Sequence, residues 1–376
     1  MRVALVHDFH SSDSPSGENE VVDAEAAALR EAGVDVRVVA VTNDEQNARP
    51  LHRLRAISTI ATGFGISPIR MLDSFEPDVI HVHNLFPYLG HRWLQNVEQP
   101  VVATMHSYRP LCANGYLYRA GDVCTLCPSG RRWSGVRHGC YRGSRLATLP
   151  LAWAGRKGAA SDPLVVAARR VLVLSERARS VFAEAGVPES KLHRDWHFVP
   201  DSHDPGYGTD RDERWVFVGR LTEEKGIAPL VDEWPASVPL LVVGDGPMRS
   251  SLEQAAKGKD IRFAGRLSRP EVLMAMRESF GLVMPSLWYE TISLVYLEAL
   301  AAGLPVVAFR PNVVADSVER DGTGLVASWG SLASSLEEGH RGFDALRAHC
   351  RSLFCDRYAQ SAFVTRRTKL YAELVA

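Results

Sequence analysis

No stretch of this sequence stays apolar for anything near the roughly 18 residues that cross a bilayer as a helix. A membrane-spanning class is therefore not expected, and any membrane contact would be peripheral. An excess of charge of one sign is missing too. Lys and Arg number 43 against 44 Asp and Glu, a formal net charge of -1, which removes the global electrostatic case for nucleic acid. No internal repeat and no low-complexity tract stand out. Cysteine is scarce, with six residues in 376. The opening residues, Met1–Asp8, turn polar too soon for a signal peptide and read as a first buried strand. A cytoplasmic protein with reduced thiols is the expectation.

What is present is ordinary globular composition, 46% hydrophobic and 23% charged, in a length that suits two domains. Short Val-rich runs alternate with longer amphipathic stretches. Val3–Val6, Val34–Val41, Val79–Val82, Val101–Thr104 and Val171–Leu174 form one series of predicted strands. Trp215–Val218, Leu240–Val243, Ile261–Ala264, Leu282–Met284 and Val306–Ala308 form a second. Between them lie predicted helices such as Val21–Ala32, Arg156–Ala168, Glu176–Ala185 and Pro270–Ser279. The alternation predicts parallel sheets covered by helices on both faces. Two such series predict an α/β protein of two doubly wound, Rossmann-like domains, with ligands at the carboxyl ends of the strands.

The division falls at a polar, turn-rich stretch. Residues 1–200 are the first domain, with a cysteine-containing insertion at about 110–145. Residues 201–212 are a linker, and 213–353 the second domain. The pattern over 354–376 predicts a C-terminal helix returning to the first domain, with Tyr358, Phe363, Leu370 and Leu374 available for packing.

The segment Glu290–Glu298 draws attention first. Leu282–Met284 predicts a strand, and the stretch after Thr291 a helix stopped by Gly303 and Pro305. Apolar residues surround that helix, so a carboxylate on it needs a bonding partner. Its N-terminus offers free N–H groups and a positive dipole end, suited to a diphosphate. A buried helix with two salt-bridged glutamates is the competing reading. Upstream, Gly219-Arg220-Leu221 leads to Lys225-Gly226 after a strand. An arginine can clamp phosphate through two nitrogens and a lysine acts as a point charge. Together they could neutralise a departing diphosphate without a metal. Gly244 and Gly246 mark a tight turn after another strand, and Arg266 and Leu267 follow a third.

In the first domain, the Ser11–Gly17 loop opens a helix and could receive a phosphate or act as a plain strand–helix connection. His81 reads as a hydrogen-bonded core histidine. His106 lies at a strand's carboxyl end, where a histidine can bond a sugar hydroxyl. Cys112, Cys124, Cys127 and Cys140 contain one Cys-x-x-Cys pair. They are either a structural zinc site or reduced thiols packed in the insertion. Arg131, Arg132, Arg137, Arg142 and Arg145 in the same insertion form a local surface for an anionic acceptor or a solvated loop.

Taken in order, these elements resemble the retaining, nucleotide-sugar-dependent glycosyltransferases of family 4, the two-Rossmann-domain GT-B type. The resemblance rests on Gly219-Arg220-Leu221 with Lys225-Gly226, Val243-Gly244-Asp245-Gly246-Pro247, and Glu290-x7-Glu298 with Ala302–Val307. In the first domain it rests on Gly17, Val79–Asn84 and Thr104-Met105-His106. It implies two domains facing across a cleft. It also implies transfer of a sugar from a uridine or guanosine diphosphate sugar to a hydroxyl acceptor, a glycan, lipid-linked intermediate or small natural product. No catalytic metal or other cofactor is implied, so any zinc would be structural. Arg220, Lys225, Glu290 and His106 take catalytic roles by this likeness. Gly17, Gly219, Arg266, Leu267, Ser293, Leu294, Val295 and Glu298 bind the donor. One departure stands out. Thr291, Ile292 and Ser293 occupy positions where the family often has glycine, an aromatic and glycine, which alters the expected sugar pocket. A nucleotide-sugar epimerase or a non-catalytic sugar-nucleotide-binding protein of the same fold are the other readings.

Overall fold

The structure is a computed structural model that describes residues 1–12, 17–201 and 213–376. Most of the expected linker, residues 202–212, and part of the Ser11–Gly17 loop lie outside the described residues.

Fourteen strands occur in chain order among them: β1 Arg2–Phe9, β2 Asp35–Thr42, β3 Val79–Asn84, β4 Val101–Met105, β5 Tyr118–Arg119, β6 Asp122–Val123, β7 Ala168–Val173, β8 Leu192–Arg194, β9 Trp215–Val218, β10 Leu240–Val243, β11 Ile261–Gly265, β12 Leu282–Met284, β13 Val306–Phe309 and β14 Gly324–Ala327. Two six-stranded sheets result, in the orders β2-β1-β3-β4-β7-β8 and β11-β10-β9-β12-β13-β14. Every ladder in them is parallel. The Val-rich runs explain this, because a parallel strand is covered on both faces and alternation is lost. All five residues of β4 and all four of β13 are buried.

The chain forms two compact units. One comprises Met1–Leu117, Cys124–His197 and Val364–Ala376; the other comprises Tyr118–Val123 and Phe198–Phe363. The antiparallel pair β5–β6, a hairpin the sequence reading did not foresee, thus belongs to the second unit rather than the first.

The first core gathers Val3, Leu5, Leu29, Val79, Val102 and Leu172 with Leu370, Tyr371 and Leu374 of the last helix, Gln360–Val375. The second gathers Trp215, Trp234, Val283, Val307, Phe309 and Phe343. One helix differs from expectation. Arg156–Ala168 is broken into two short 3-10 turns and a helix over Pro163–Ala167, and Ala168 already starts β7. Gly158, at φ +88, ends the first turn, and Asp162 starts a new cap by accepting from Leu164 and Val165 N–H. The short strands β8 and β14 also escaped the pattern.

The strand order reverses at one point in each sheet, between β1 and β3 and between β9 and β12. At such a switch the loops leaving the two strands diverge and open a crevice, the usual ligand position in this architecture.

Candidate functional site

At the switch of the second sheet, the loop after β9 carries Gly219, Arg220 and Lys225, and the loop after β12 carries Ser286 and Glu290. The two loops touch. Lys225 Nζ is 2.6 Å from Glu290 Oε1, and Ser286 donates its hydroxyl to the same oxygen at 2.8 Å. The backbone N–H of Leu287 donates to the Glu224 carbonyl at 2.9 Å. Gly226 is essential to this approach. Its φ is +68, and a Cβ there would run into the Pro285 carbonyl oxygen. Glu290 is buried, at 2% exposure, but Lys225 and the seryl hydroxyl satisfy its charge. Arg220 is more open. It pairs with Glu224 at 3.2 Å, and Glu224 also accepts from the Thr222 hydroxyl.

The helix that follows spans Leu294–Ala301, so Glu290 lies in the loop ahead of it. Ser293 is its N-cap, accepting from Tyr296 N–H at 3.4 Å. The N–H groups of Leu294 and Val295 have no acceptor among the described residues and mark the dipole's positive end. Tyr296, Leu297, Ala299, Leu300 and Ala301 are buried, while Leu294, Val295 and Glu298 share a partly open side. The partner of Glu298 is Arg269, 3.2 Å away, at the start of the helix Arg269–Glu278. Arg266 and Leu267 leave the carboxyl end of β11. Gly244 links the neighbouring ends, its N–H donating to Gly265 O at 2.8 Å.

In the first unit a cavity of about 180 Å³ opens at the β1/β3 switch. Glu18, His83, Asn84, His106 and Arg109 are among its polar lining, and Phe86, Met105 and Leu151 among its apolar walls. The loop after β3 is pinned by Asp8 at the end of β1. Its Oδ2 accepts from Tyr88 N–H at 2.7 Å and Leu89 N–H at 3.1 Å. Burial pushes the Asp8 carboxyl up to about 7 despite these two donors. Gly17 begins the first helix, Gly17–Glu31, with Glu18 beside it. Glu18 and His10 are 3.3 Å apart. Burial opposes the Glu18 anion, but the neighbouring imidazoles of His106, His10 and His7 outweigh it and keep the carboxyl ionised.

His106 stands where the sequence put it, directly after β4, and lines the cavity. Its surroundings were not foreseen. Its Nε2 is 2.9 Å from His83 Nδ1, and its Nδ1 is 3.4 Å from His197 Nε2. The rings of His106 and His197 stack 5.0 Å apart. Burial lowers the His106 pKa to about 4 and takes those of His83 and His197 well below their ordinary value. Three neutral imidazoles therefore share protons in a row.

Behind them lies a buried charged cluster. The Arg367 guanidinium donates to Glu25 Oε1 at 2.9 Å and to Asp195 Oδ2 at 3.2 Å. His81 holds Tyr371 OH and Thr104 Oγ1, each at 2.7 Å, so it is the core histidine expected. Nothing in the helical pattern of the last helix marks Arg367 as buried; only the fold reveals its two carboxylate partners.

Glu25, His81 and His83 bring ligand atoms within 4.8 Å of one another, a spacing a metal could use. Arg367 already supplies the cation there, 3.2 Å from His81 Nδ1, so the group is an ion-pair network. The cysteines, by contrast, do not form such a group among the described residues. All four are free thiols. Cys112 donates to Asn114 Oδ1 at 2.9 Å, and Cys127 to Arg132 O at 3.8 Å. Cys112 and Cys124 both lie near enough to Cys127 to help raise its pKa, behind burial as the largest cause.

Two family models match the chain. A model of glycosyl transferases group 1 matches residues 212–339, and a model of Glycosyltransferase Family 4 matches residues 15–194. The chain belongs to glycosyltransferase family 4. As a family 4 chain it is 27% identical over 315 residues to the sulfoquinovosyl transferase SQD2 of Arabidopsis thaliana. That match covers 79% of this chain but only 57% of the plant relative, so the chain spans little more than half its length. It is 28% identical over 358 residues to a GDP-mannose-dependent alpha-mannosyltransferase of Mycobacterium tuberculosis, covering 90% of this chain and 86% of that one. Among solved structures, Anabaena HepE in complex with UDP-glucose superimposes with a TM-score of 0.65 at 16% identity, over 99% of this chain and all of that one. The fold of the chain is thereby of the GT-B kind. No helix among its described residues is long and apolar enough to cross a membrane.

Proposed function

We propose that this glycosyltransferase transfers a hexosyl group, with retention at the anomeric carbon, from a uridine or guanosine diphosphate sugar to a hydroxyl acceptor. The observation that carries the reading is the meeting of Lys225 and Glu290, 2.6 Å apart, at the switch of the second sheet, with Arg220 on the same loop. Arg220 and Lys225 receive the donor diphosphate, and the free N–H groups of Leu294 and Val295 add to its binding. Glu290 accepts from hydroxyls of the transferred sugar. Glu298 serves the ribose, and Arg266 and Leu267 the base. Gly17 and His106 act from the first unit.

The bond from the anomeric carbon to the phosphate oxygen breaks. The acceptor oxygen bonds to that carbon from the same face, and its proton passes to the departing phosphate oxygen. The protein supplies position and charge stabilisation rather than a nucleophile. In the ligand-free arrangement Lys225 is neutralised by Glu290. The incoming diphosphate competes for that ammonium and frees Glu290 to turn to the sugar.

Thermal melting with UDP and GDP tests the donor half. A ligand that binds only the folded state at a hundred times its Kd adds about 2.7 kcal/mol of stability. One of the two nucleotides should raise Tm, and Arg220→Ala should abolish the shift. Melting indifferent to both nucleotides would overturn the reading.

A further inference from the structure

We propose that the cavity in the first unit takes the acceptor, and that it selects an acceptor carrying an anionic group, a carboxylate or a phosphate, bound by Arg109. The proposal rests on the function proposed above and names the substrate class for its second half.

Arg109 lines the cavity together with Phe86, Leu151 and Leu164. Its guanidinium carbon stands 3.9 Å over the Phe86 ring. A guanidinium has five N–H donors, and this one spends a single hydrogen bond on protein, from Nη1 to Ala113 O at 3.2 Å. Arg109 forms no ion pair among the described residues. That is unusual beside the other enclosed arginines of this unit: Arg367 has Glu25 and Asp195, and Arg366 has Asp195. A cation against apolar walls costs free energy until an anion meets it, and burial indeed lowers the Arg109 pKa from its ordinary value.

Neither carboxylate that lines the same cavity pairs with Arg109 directly, although Glu18 acts on it from a distance and raises its pKa. Glu18 is engaged with His10 at 3.3 Å. Asp162 is committed to the helix it caps, accepting from Leu164 N–H at 2.9 Å and Val165 N–H at 3.4 Å. The planar fork left open on Arg109 suits a carboxylate or phosphate, which can accept two parallel bonds from it. Elsewhere in the cavity the groups are of another kind. Glu18 can accept from a hydroxyl, whereas the amide of Asn84 and both ring nitrogens of His106 already have protein partners. The lining thus fits a hydroxylated molecule with an acidic substituent. The cysteine-bearing insertion contributes from behind: Tyr141 sets its ring edge against Phe86, centroids 6.1 Å apart, and so backs the surface on which Arg109 lies.

Calorimetric titration of the full chain tests this, with glucuronic acid, glucose 6-phosphate and neutral methyl glucoside as probes. At least one acidic sugar should bind about tenfold or more tightly than the neutral one, as a charge-assisted bidentate contact implies. Arg109→Met should erase that preference and Arg109→Lys should keep part of it. A preference for the phosphate alone or the carboxylate alone names the group. Equal affinities in the wild type, no saturable binding of either acid, or a preference that survives in Arg109→Met would each overturn the proposal. UDP and GDP titrated into the same three proteins report on the second unit separately. They should bind all three alike, and their failure to bind the wild type counts against the donor reading, not against Arg109.

Discussion

One pair and one triad of residues decide most at the smallest scale. Lys225 and Glu290 hold each other at the switch of the second sheet, and the function proposed above has each released to the donor. Glu290→Gln keeps the shape and removes the charge that directs the sugar hydroxyls. Transfer should fall by about a hundredfold or more, the range seen when one preorganised polar contact is lost, with the UDP or GDP melting shift retained. Full turnover in that variant would remove Glu290 from the mechanism. Arg367 is a different case, because its role is internal. It is fully buried between Glu25 and Asp195. Arg367→Met leaves Glu25 in the interior without its guanidinium and Asp195 with Arg366 alone, and breaking a buried pair this way costs about 3–5 kcal/mol. Urea unfolding should show that loss, whereas a change within a few tenths of a kcal/mol would mean that protons or water replace the guanidinium.

At the scale of elements, loops at the strand ends carry the chemistry and the helices behind them hold it in place. The last helix shows this most clearly. Leu370, Tyr371 and Leu374 complete the first core, and Arg367 and Tyr371 reach the histidine cluster. Burial of each large side chain is worth about 1.5–3 kcal/mol, so losing three removes about as much as a whole domain's margin. A chain ending before Gln360 should therefore be insoluble or bind dyes that report exposed apolar surface. A soluble, cooperatively melting truncation would contradict that account. The helix Leu294–Ala301 was legible from its sequence because apolar residues, a serine cap and Gly303 all agree. The failure over Arg156–Ala168 came from weighing periodicity above Gly158 and Asp162, two residues that break and restart the chain.

For the whole molecule the testable property is its response to acid. His7, His81, His83, His106 and His197 all have pKa values below the ordinary 6.5, with burial as the largest cause. The unfolded chain therefore binds more protons than the folded one between those lowered values and 6.5. Stability rises with pH there and is lost as pH falls below about 6.5, with His106 contributing down to about 4. Asp8 acts in the opposite sense. Its carboxyl is raised to about 7, so it costs stability as pH rises from about 4 to 7. Asp162, raised by burial, acts in the same sense as Asp8, but five histidines outweigh two carboxyls, each worth at most about 1.4 kcal/mol per pH unit. Urea midpoints should drop from pH 7.5 to 6 and again to 5. Midpoints that stay level or increase across that range would mean the histidines are protonated in the folded protein.

Some of this protein was determined by its sequence alone. Valine-rich runs spaced by amphipathic stretches set the two parallel sheets, since strands buried on both faces leave a mark that needs no partner to read. The same runs place Gly219, Arg220, Lys225 and Glu290 in loops that follow strands, and Glu298 on the helix after them. The tertiary structure decided what depends on neighbours far along the chain. It brought Arg367 to Glu25 across 342 residues, set His83 and His197 on either side of His106, and left Arg109 without an ion pair among the described residues. A side chain's charge is written in the sequence, but whether that charge is matched, buried or open to a ligand is fixed only when the chain has folded around it.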